Sequence, residues 1–108
     1  MLNLGRGGGA EKMIEDKERL CELAEKLKVI AHPVRLCIVR GLWRKGCCNV
    51  TFMQECLEVP QSTVSQHLGK LRQAGIIQGE RNGLEICYSL KDPLIEEVLK
   101  LMFEEDKV

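Results

Sequence analysis

The chain has 108 residues, of which 44% are hydrophobic and 30% charged, and its 16 basic side chains balance 16 acidic ones. This length and composition are typical of one globular domain with a modest core rather than a disordered chain. No apolar run is long enough for a membrane span, and the start, MLNLGRGGGA, lacks the apolar segment of a secretory signal. We therefore expect a cytoplasmic protein with a flexible tail at residues 1–10 and one domain at residues 11–108.

The net charge of zero conceals an uneven distribution along the chain. Residues 32–81 carry seven basic and three acidic side chains, whereas residues 82–108 carry three basic and seven acidic ones. A basic middle and an acidic end are expected when one face of a protein meets an anion such as nucleic acid.

Two amphipathic helices are predicted at the start of the domain. The first covers residues 11 to 31, where apolar side chains recur at helical spacing among charges. The second corresponds to AHPVRLCIVRGLWRKG, with Pro33 at its first position and Gly46 just past its end. The predicted apolar stripes are Ile14, Leu20, Ala24, Leu27 and Ala31 in the first helix and Leu36, Val39, Leu42 and Trp43 in the second.

A short third helix is predicted in NVTFMQECLEVP, where Thr51 and Gln54 fit a capping box and Pro60 closes the segment. A fourth helix follows after a very short link in QSTVSQHLGKLRQAG. Ser62 or Gln61 is expected near the N-cap of this fourth helix.

The fourth helix has an unusual polar face. Its inward stripe is Val64, Leu68 and Leu71, and Gly75 suits the left-handed residue of a Schellman ending. The opposite side carries hydroxyls, amides and cations, with no acid between residues 61 and 77. Gly69 lies in this polar arc, where no core packing requires a glycine, so that either a close approach to another backbone or simple tolerance would explain it.

A hairpin and a final helix complete the pattern. Asn82-Gly83 is a strong hairpin signal between two β-type runs, with Ile86, Tyr88 and Leu90 alternating to one face. The last helix is expected to begin with Asp92 as N-cap and Pro93 at the first position. Its predicted apolar stripe is Ile95, Val98, Leu99 and Met102.

Two short helices followed directly by a hairpin indicate a winged helix-turn-helix, in which the second helix of the pair enters the DNA major groove. Ser, Thr and Gln are short enough to read base edges, and Lys and Arg suit phosphates. The fold class expected is therefore mainly α with a β wing, in the order α-α-α-α-β-β-α. The alternative interpretation of the fourth helix is a solvated helix in a small all-α bundle.

Three segments, LKVIAHPVRLCIV, VPQSTVSQHLGKLRQAGII and RNGLEICYSL, resemble the arsenic-repressor type (ArsR/SmtB) family of bacterial winged-helix repressors. The resemblance covers residues 20 to 103. It implies a homodimer built from the first and last helices that binds an inverted repeat in double-stranded operator DNA and is released by an effector. By position it implies groove and base contacts from Gln61, Ser62, Thr63, Ser65 and Gln66, and phosphate contacts from Lys70, Arg72 and Arg81. Asn82 lies beside Arg81 at the tip of the wing.

Two histidines lie near these segments. His67 is on the shoulder between the core and polar faces, so that packing and DNA contact both remain open for it. His32 precedes Pro33 and is expected to start a helix rather than to bind a ligand.

Six cysteines are many for this length, and in a reducing cytoplasm they serve as apolar side chains, metal ligands or redox-sensing thiols. The family's metal patterns are not matched: Asn49 and Val50 follow Cys48 where a Cys-x-Cys motif would stand, residues 92–108 contain no histidine, and residues 70 and 74 are not cysteines. The candidate sensing thiols are Cys47, Cys48, Cys56 and Cys21. Cys47 and Cys48 follow Arg44 and Lys45, cations that favour the reactive thiolate. Packing is the leading explanation for Cys37 and Cys87.

The leading hypothesis is a dimeric repressor whose DNA affinity falls when thiols bind a soft metal or metalloid, or are oxidised or persulfidated. No cofactor is certain; a soft ion, if bound, would use Cys47, Cys48 and Cys56. One alternative is the same repressor without a small-molecule sensor, and a more remote one is a thiol-based metal-handling or redox protein that binds no DNA. Catalysis is not expected, because no constellation of catalytic residues is recognisable.

Overall fold

The structure is a computed structural model that describes residues 16–104. Five helices and one antiparallel hairpin follow one another in the predicted order. They are α1 (Lys17–Ile30), α2 (Pro33–Lys45), α3 (Val50–Leu57), α4 (Gln61–Gln73), β1 (Ile77–Asn82), β2 (Glu85–Leu90) and α5 (Pro93–Phe103). The predicted mainly α fold with a β wing is confirmed. The expected helix start near residue 11, its Ile14 and the tail at residues 1–10 lie outside the described residues.

The core lies where α2, α4, α5 and the base of the hairpin meet. Its fully buried side chains are Val39, Leu42, Val64, Leu68, Leu71, Ile76, Ile77, Ile95 and Leu99. Burying each such side chain stabilises the fold by roughly 1.5–3 kcal/mol, so this set holds α4 firmly against the scaffold. One predicted core position of α2 differs, because Leu36 is only half-buried beside a buried Ile38. In the predicted apolar stripes of the first and last helices, Leu20, Leu27 and Met102 are exposed.

Side-chain caps start three of the helices. The Nδ1 atom of His32 accepts a hydrogen bond from the Val34 amide, and Asp92 accepts one from the Leu94 amide, which confirms the predicted starts of α2 and α5. Asn49, not the Thr51–Gln54 pair, caps α3 by accepting from the Phe52 amide at 2.8 Å. The predicted capping box was therefore wrong by two residues.

The buried N-cap of α5 is also an ion-pair site. The Asp92 carboxylate lies 2.6 Å from Nζ of Lys26 on α1. Burial alone would raise the pKa of Asp92, but the hydrogen bonds from Lys26 and from the Leu94 amide outweigh it and lower the pKa. This contact joins the first helix to the start of the last one.

The helix α4 begins directly at Gln61 after the N-cap Pro60, and among the described residues no side chain caps it. Gln61 and Ser62 thus lie next to the N-cap, as expected, as the first two residues of α4. Its end matches the prediction: Gly75 has φ of 74°, its amide bonds to the Arg72 carbonyl, and the Ile76 amide bonds to the Leu71 carbonyl, both at 3.0 Å. This is a complete Schellman motif.

The wing consists of two antiparallel strands of six residues each, in which Ile77 is paired with Leu90 and Asn82 with Glu85. The two-residue loop is therefore Gly83-Leu84, one residue later than predicted. Gly79 is required inside β1, because a Cβ atom there would lie 2.9 Å from Cγ2 of Ile86.

Exposed apolar side chains lie on α1 and α5. They are Leu20 and Leu27 on α1 and Leu94, Leu101 and Met102 on α5. We call them the apolar face of α1 and α5. Within residues 16–104, no helix is both long and apolar enough to cross a membrane.

Candidate nucleic-acid interface

The helix α4 separates its apolar and polar residues cleanly. Val64, Leu68 and Leu71 are buried, so the opposite side of the helix is turned outward. Of the predicted contact residues on α4, Gln61, Ser62, Ser65, Gln66, Lys70 and Arg72 are exposed and Thr63 is half-buried. The structure thus places the predicted hydroxyls, amides and cations together on one solvent-facing surface.

Gly69 lies on this exposed side without an internal reason to be glycine. Apart from its two chain neighbours and the backbone of its own helix, no described heavy atom comes within 4 Å of the position that a Cβ atom would take there. The backbone is in ordinary helical geometry, in which alanine is preferred over glycine by about 1 kcal/mol. The missing side chain leaves the α4 backbone accessible at the middle of the polar face.

The predicted wing residues are exposed at the end of the hairpin. Arg81 is paired in register with Ile86, and Asn82 with Glu85. The loop residue Leu84 is fully exposed. The wing therefore presents one cation and one amide near an apolar tip, together with the exposed carboxylates of Glu80 and Glu85.

A hydrogen-bonded contact that the sequence did not reveal positions α4. Arg35 on α2 donates through Nε to the Val29 carbonyl at the end of α1 at 2.6 Å, and its Nη1 lies 3.2 Å from Nδ1 of His67 on α4. Because a guanidinium can only donate, His67 must accept at Nδ1 and carry its proton on Nε2. Arg35 thus joins three helices, and no periodicity or motif singles it out.

His67 lies at this junction between α2 and α4 rather than on the outer surface of α4. Its ring centroid is 4.8 Å from that of His32, so the structure brings together the two histidines that the sequence places in separate helices. Burial lowers the pKa of His67, and the nearby His32, Arg35 and Lys70 lower it further. The neutral ring that the Arg35 bond requires is therefore the favoured form near neutral pH.

The cysteines occupy different environments. Cys47 and Cys87 are joined by a disulfide, with their Cα atoms 5.7 Å apart. The expectation that Cys87 serves packing was therefore wrong: it belongs to a pair that links the segment before α3 to β2. Cys48 is buried, whereas Cys21, Cys37 and Cys56 are exposed free thiols.

The adjacent thiols of Cys47 and Cys48 differ because the chain is extended there. Cys48 pairs with Tyr88 of β2 as an isolated β-bridge, and successive side chains of an extended segment point to opposite sides. Burial raises the pKa of Cys48; Lys45 opposes this, and Cys56 adds to it. Cys48 is therefore held as a neutral core thiol.

Comparisons with known proteins agree with this geometry. A family profile described as "Helix-turn-helix domain" matches residues 30–80. The transcriptional repressor PagR of Bacillus anthracis is 48% identical over 79 residues, covering 73% of this chain and 79% of PagR. The repressor SmtB of Mycobacterium tuberculosis is 43% identical over 76 residues, covering 70% of this chain and 56% of SmtB. This chain belongs to the ArsR/SmtB family of winged helix-turn-helix transcriptional repressors.

Solved structures of relatives share the fold of this ArsR/SmtB chain. The crystal structure of PagR matches with a TM-score of 0.73 at 45% identity, covering 80% of this chain and 98% of that chain. Reduced HlyU from Vibrio cholerae matches with a TM-score of 0.77 at 26% identity, covering 83% of this chain and 94% of that chain. The chain therefore shares its overall fold with the repressor PagR and with HlyU.

The thiols of this ArsR/SmtB chain do not converge on one point. Within residues 16–104, no group of three or more His, Cys, Asp or Glu side chains is placed to hold a metal ion. Cys47 is bonded to Cys87, whereas Cys48 and Cys56 line an apolar groove of about 200 Å³ between α2 and α3. The structure does not gather the predicted set of Cys47, Cys48 and Cys56.

Proposed function

We propose that this chain is a homodimeric transcriptional repressor of the cytoplasm that binds an inverted-repeat operator through α4 and is released by a thiol-directed signal. The observation that carries the proposal is the exposed, acid-free polar face of α4. In a helix whose other side is buried, this face is the surface available to a DNA groove. The repressors PagR and SmtB support the assignment by their similarity. We propose no catalytic role.

The residues on α4 divide by chemistry. Gln61, Ser62, Thr63, Ser65 and Gln66 occupy the first turns, where amides and hydroxyls meet base edges; a Gln amide bonds bidentately to adenine. Lys70 and Arg72 follow at the end of the helix, and Arg81 with Asn82 reaches the backbone from the wing. Each phosphate that a cation neutralises releases a counterion, so this second group gives affinity that falls with salt.

The apolar face of α1 and α5 supports the dimer. Leu101 is 81% exposed in the isolated chain, and Leu27 is also largely exposed on α1. Exposed apolar side chains on both helices support an interaction surface there, since monomers rarely expose extended apolar patches. Two copies joined through this surface would present their α4 helices to the two halves of an inverted repeat, which dimers of this class read about one helical turn apart.

The dimer is tested by Leu101→Glu, because a charge buried in an apolar interface disfavours association. Leu84→Glu is the matched control, since Leu84 is fully exposed at the wing tip and outside the proposed interface. Light scattering should give a monomer for Leu101→Glu and a dimer for both the wild type and Leu84→Glu. A dimer for all three proteins would contradict the proposed interface.

Thiol chemistry is the proposed signal. Cys47 is exposed and follows Arg44 and Lys45 in the sequence. Nearby cations favour the thiolate, which is the form that reacts with oxidants, persulfides and soft ions. One solved structure of the relative HlyU is described as that of the reduced protein, so a reduced form of HlyU is distinguished. Oxidation, persulfidation and soft-ion binding are the forms of the signal that the experiment compares.

The function is tested by fluorescence anisotropy with a labelled duplex from the region upstream of the chain's own gene. Specific binding under reducing conditions, with competition by that duplex but not by random DNA, is the expected result. Addition of hydrogen peroxide, a persulfide donor, Cd(II) or As(III) should then release the DNA in at least one case. Absence of specific binding would refute the repressor, whereas binding that ignores every thiol reagent would refute only the sensor.

A further inference from the structure

Cys47 and Cys87 form a pair that fits a redox-sensitive site. We propose that they are the thiols through which oxidation acts on DNA binding: a hydroperoxide converts them to a disulfide that fixes the wing to the helix-turn-helix and lowers operator affinity. This inference rests on the proposed repressor function and names its regulation. Cys87 was not among the thiols that the sequence pointed to.

The backbone sets this pairing. The Cys48 amide donates to the Tyr88 carbonyl at 3.0 Å, and the Tyr88 amide donates to the Cys48 carbonyl at 2.8 Å. These bonds hold the segment before α3 alongside β2, with Cys48 and Tyr88 turned into the core. Cys47 and Cys87, their respective chain neighbours, then occupy the other side, 5.7 Å apart at Cα. That separation lies in the usual range for a disulfide, so the thiol and disulfide forms need little backbone movement to interconvert.

The surroundings of the pair favour reaction with a small oxidant. The two cysteines line an open recess of about 310 Å³ together with Lys45, Cys48, Asn49 and Phe52. The ammonium group of Lys45 lies 5.7 Å from the centroid of the Phe52 ring, so its charge is held at the recess. Cys47 is exposed and Cys87 half-buried. Cys47 is therefore the thiol placed to react first, and Cys87 the one placed to resolve the product.

The chemistry balances with a hydroperoxide as the oxidant. The Cys47 thiolate attacks the peroxide oxygen, the O–O bond breaks, and a sulfenic acid forms while hydroxide leaves and takes up a proton. The Cys87 sulfur then attacks the Cys47 sulfur, the S–O bond breaks, and a second water leaves. In total, two thiols and one hydrogen peroxide give one disulfide and two waters. Cys48 borders the same recess, but it is buried and its burial raises the pKa of its thiol, so Cys48 carries less of the reactive thiolate than the exposed Cys47.

The Cys47–Cys87 disulfide would act on the wing because it closes a loop that contains most of the DNA-binding elements. Its ends are 40 residues apart in sequence, and the closed loop contains α3, α4 and β1. Cys87 pairs in register with Glu80, next to the proposed DNA contacts at Arg81 and Asn82. A covalent link there restricts the wing to its position in the free protein, whereas the reduced wing can adjust to the phosphate backbone. The helices α1 and α5 lie outside the loop, so the bond does not cross the proposed dimer interface.

The experiment uses the full chain, reduced or treated with hydrogen peroxide, as wild type, Cys47→Ser, Cys87→Ser and Cys37→Ser. Cys37 is a matched control, because it is an exposed free thiol outside the pair. Mass spectrometry after cleavage with trypsin and Glu-C separates residues 46–55 from Cys56 and from residues 86–91. Anisotropy gives the ratio of oxidised to reduced Kd for each protein.

We expect peroxide to link residues 46–55 to residues 86–91 and to raise Kd roughly 5–150-fold in the wild type and Cys37→Ser, the usual range of regulatory coupling. Cys47→Ser and Cys87→Ser should form no such link and keep an unchanged Kd, and dithiothreitol should restore the wild type. A response that survives in Cys47→Ser or Cys87→Ser would overturn the proposal, as would a link that leaves Kd unchanged or lowers it. A link without DNA binding in either state would instead overturn the proposed function, leaving the pairing itself intact.

Discussion

Replacing Gly69 by alanine separates the stability of α4 from its approach to DNA. In the free protein no described heavy atom beyond its two chain neighbours and its own helix backbone lies within 4 Å of the added Cβ atom, so the methyl group fits without a clash with the rest of the fold. Alanine in a helix is favoured over glycine by about 1 kcal/mol. For a domain of this size that gain raises Tm by roughly 4–8 °C.

On DNA the same methyl group would lie between the α4 backbone and the groove. Forcing an extra methyl into a close contact costs about 1–3 kcal/mol, which corresponds to roughly 5–150-fold in Kd. Thermal denaturation and anisotropy with the operator measure the two effects on one sample. Gly41→Ala is the matched control: Gly41 is also a helical glycine with open space at its Cβ position, but it lies on α2.

We expect both variants to gain Tm and only Gly69→Ala to lose operator affinity. If Gly69→Ala becomes more stable and binds the operator with an unchanged Kd, the close approach of α4 at this point is refuted and the glycine is simply tolerated. An equal loss of affinity in Gly41→Ala would show that helix stiffness, not the groove, limits binding.

Three further predictions concern base reading, acid stability and the α2–α4 junction. Gln66→Ala should reduce the preference for operator over random DNA by about 1–3 kcal/mol, whereas Lys70→Ala should weaken binding to both and flatten the salt dependence of Kd; equal effects on both duplexes contradict these roles. The lowered pKa of Asp92 means that its ionised form stabilises the fold above its unfolded pKa of about 3.9 and that this stability is lost as pH falls through the folded value. Urea denaturation from pH 7 to pH 3 should therefore show a smaller loss of the free energy of unfolding in Asp92→Asn than in the wild type. The same loss in both proteins would contradict the stabilising role of the ionised carboxylate. The pKa of His67 is also lower in the folded protein than its unfolded value of about 6.5, so the fold is fully stable above that pH and loses stability as the pH falls toward the folded pKa. His67→Asn should therefore reduce the fall of Tm below pH 7. A fall of Tm as steep as that of the wild type would contradict the neutral ring.

Local signals in the sequence predicted the elements that depend on local bonds. The end of α4 at Gly75 was predictable because the hydrogen bonds that close it join residues of the same turn. The start of α5 was predictable for the same reason, since Asp92 caps the helix that begins at the next residue, Pro93. The apolar spacing of Val64, Leu68 and Leu71 sufficed to orient α4, and with it the exposed polar face.

The features that were missed depend on contacts between distant segments. Asn49 rather than Thr51 caps α3, and the chain just before it is extended, since Cys48 is hydrogen-bonded to Tyr88, forty residues away. The same bridge brings Cys47 to Cys87, which no spacing rule indicates. The bond between Arg35 and His67 also joins separate helices, and a basic residue on α2 is indistinguishable from a solvated one until the fold is known.

The position of Arg35 has a consequence for the choice of operator. Its guanidinium holds the final turn of α1 through the Val29 carbonyl and the side of α4 through His67. If α1 packs against its symmetry mate, a shift of that packing would reach α4 through Arg35 as well as through the direct contacts between the helices. The separation between half-sites that the protein accepts would then depend in part on Arg35, and operators with altered spacers would select for changes there as well as at base-contacting positions.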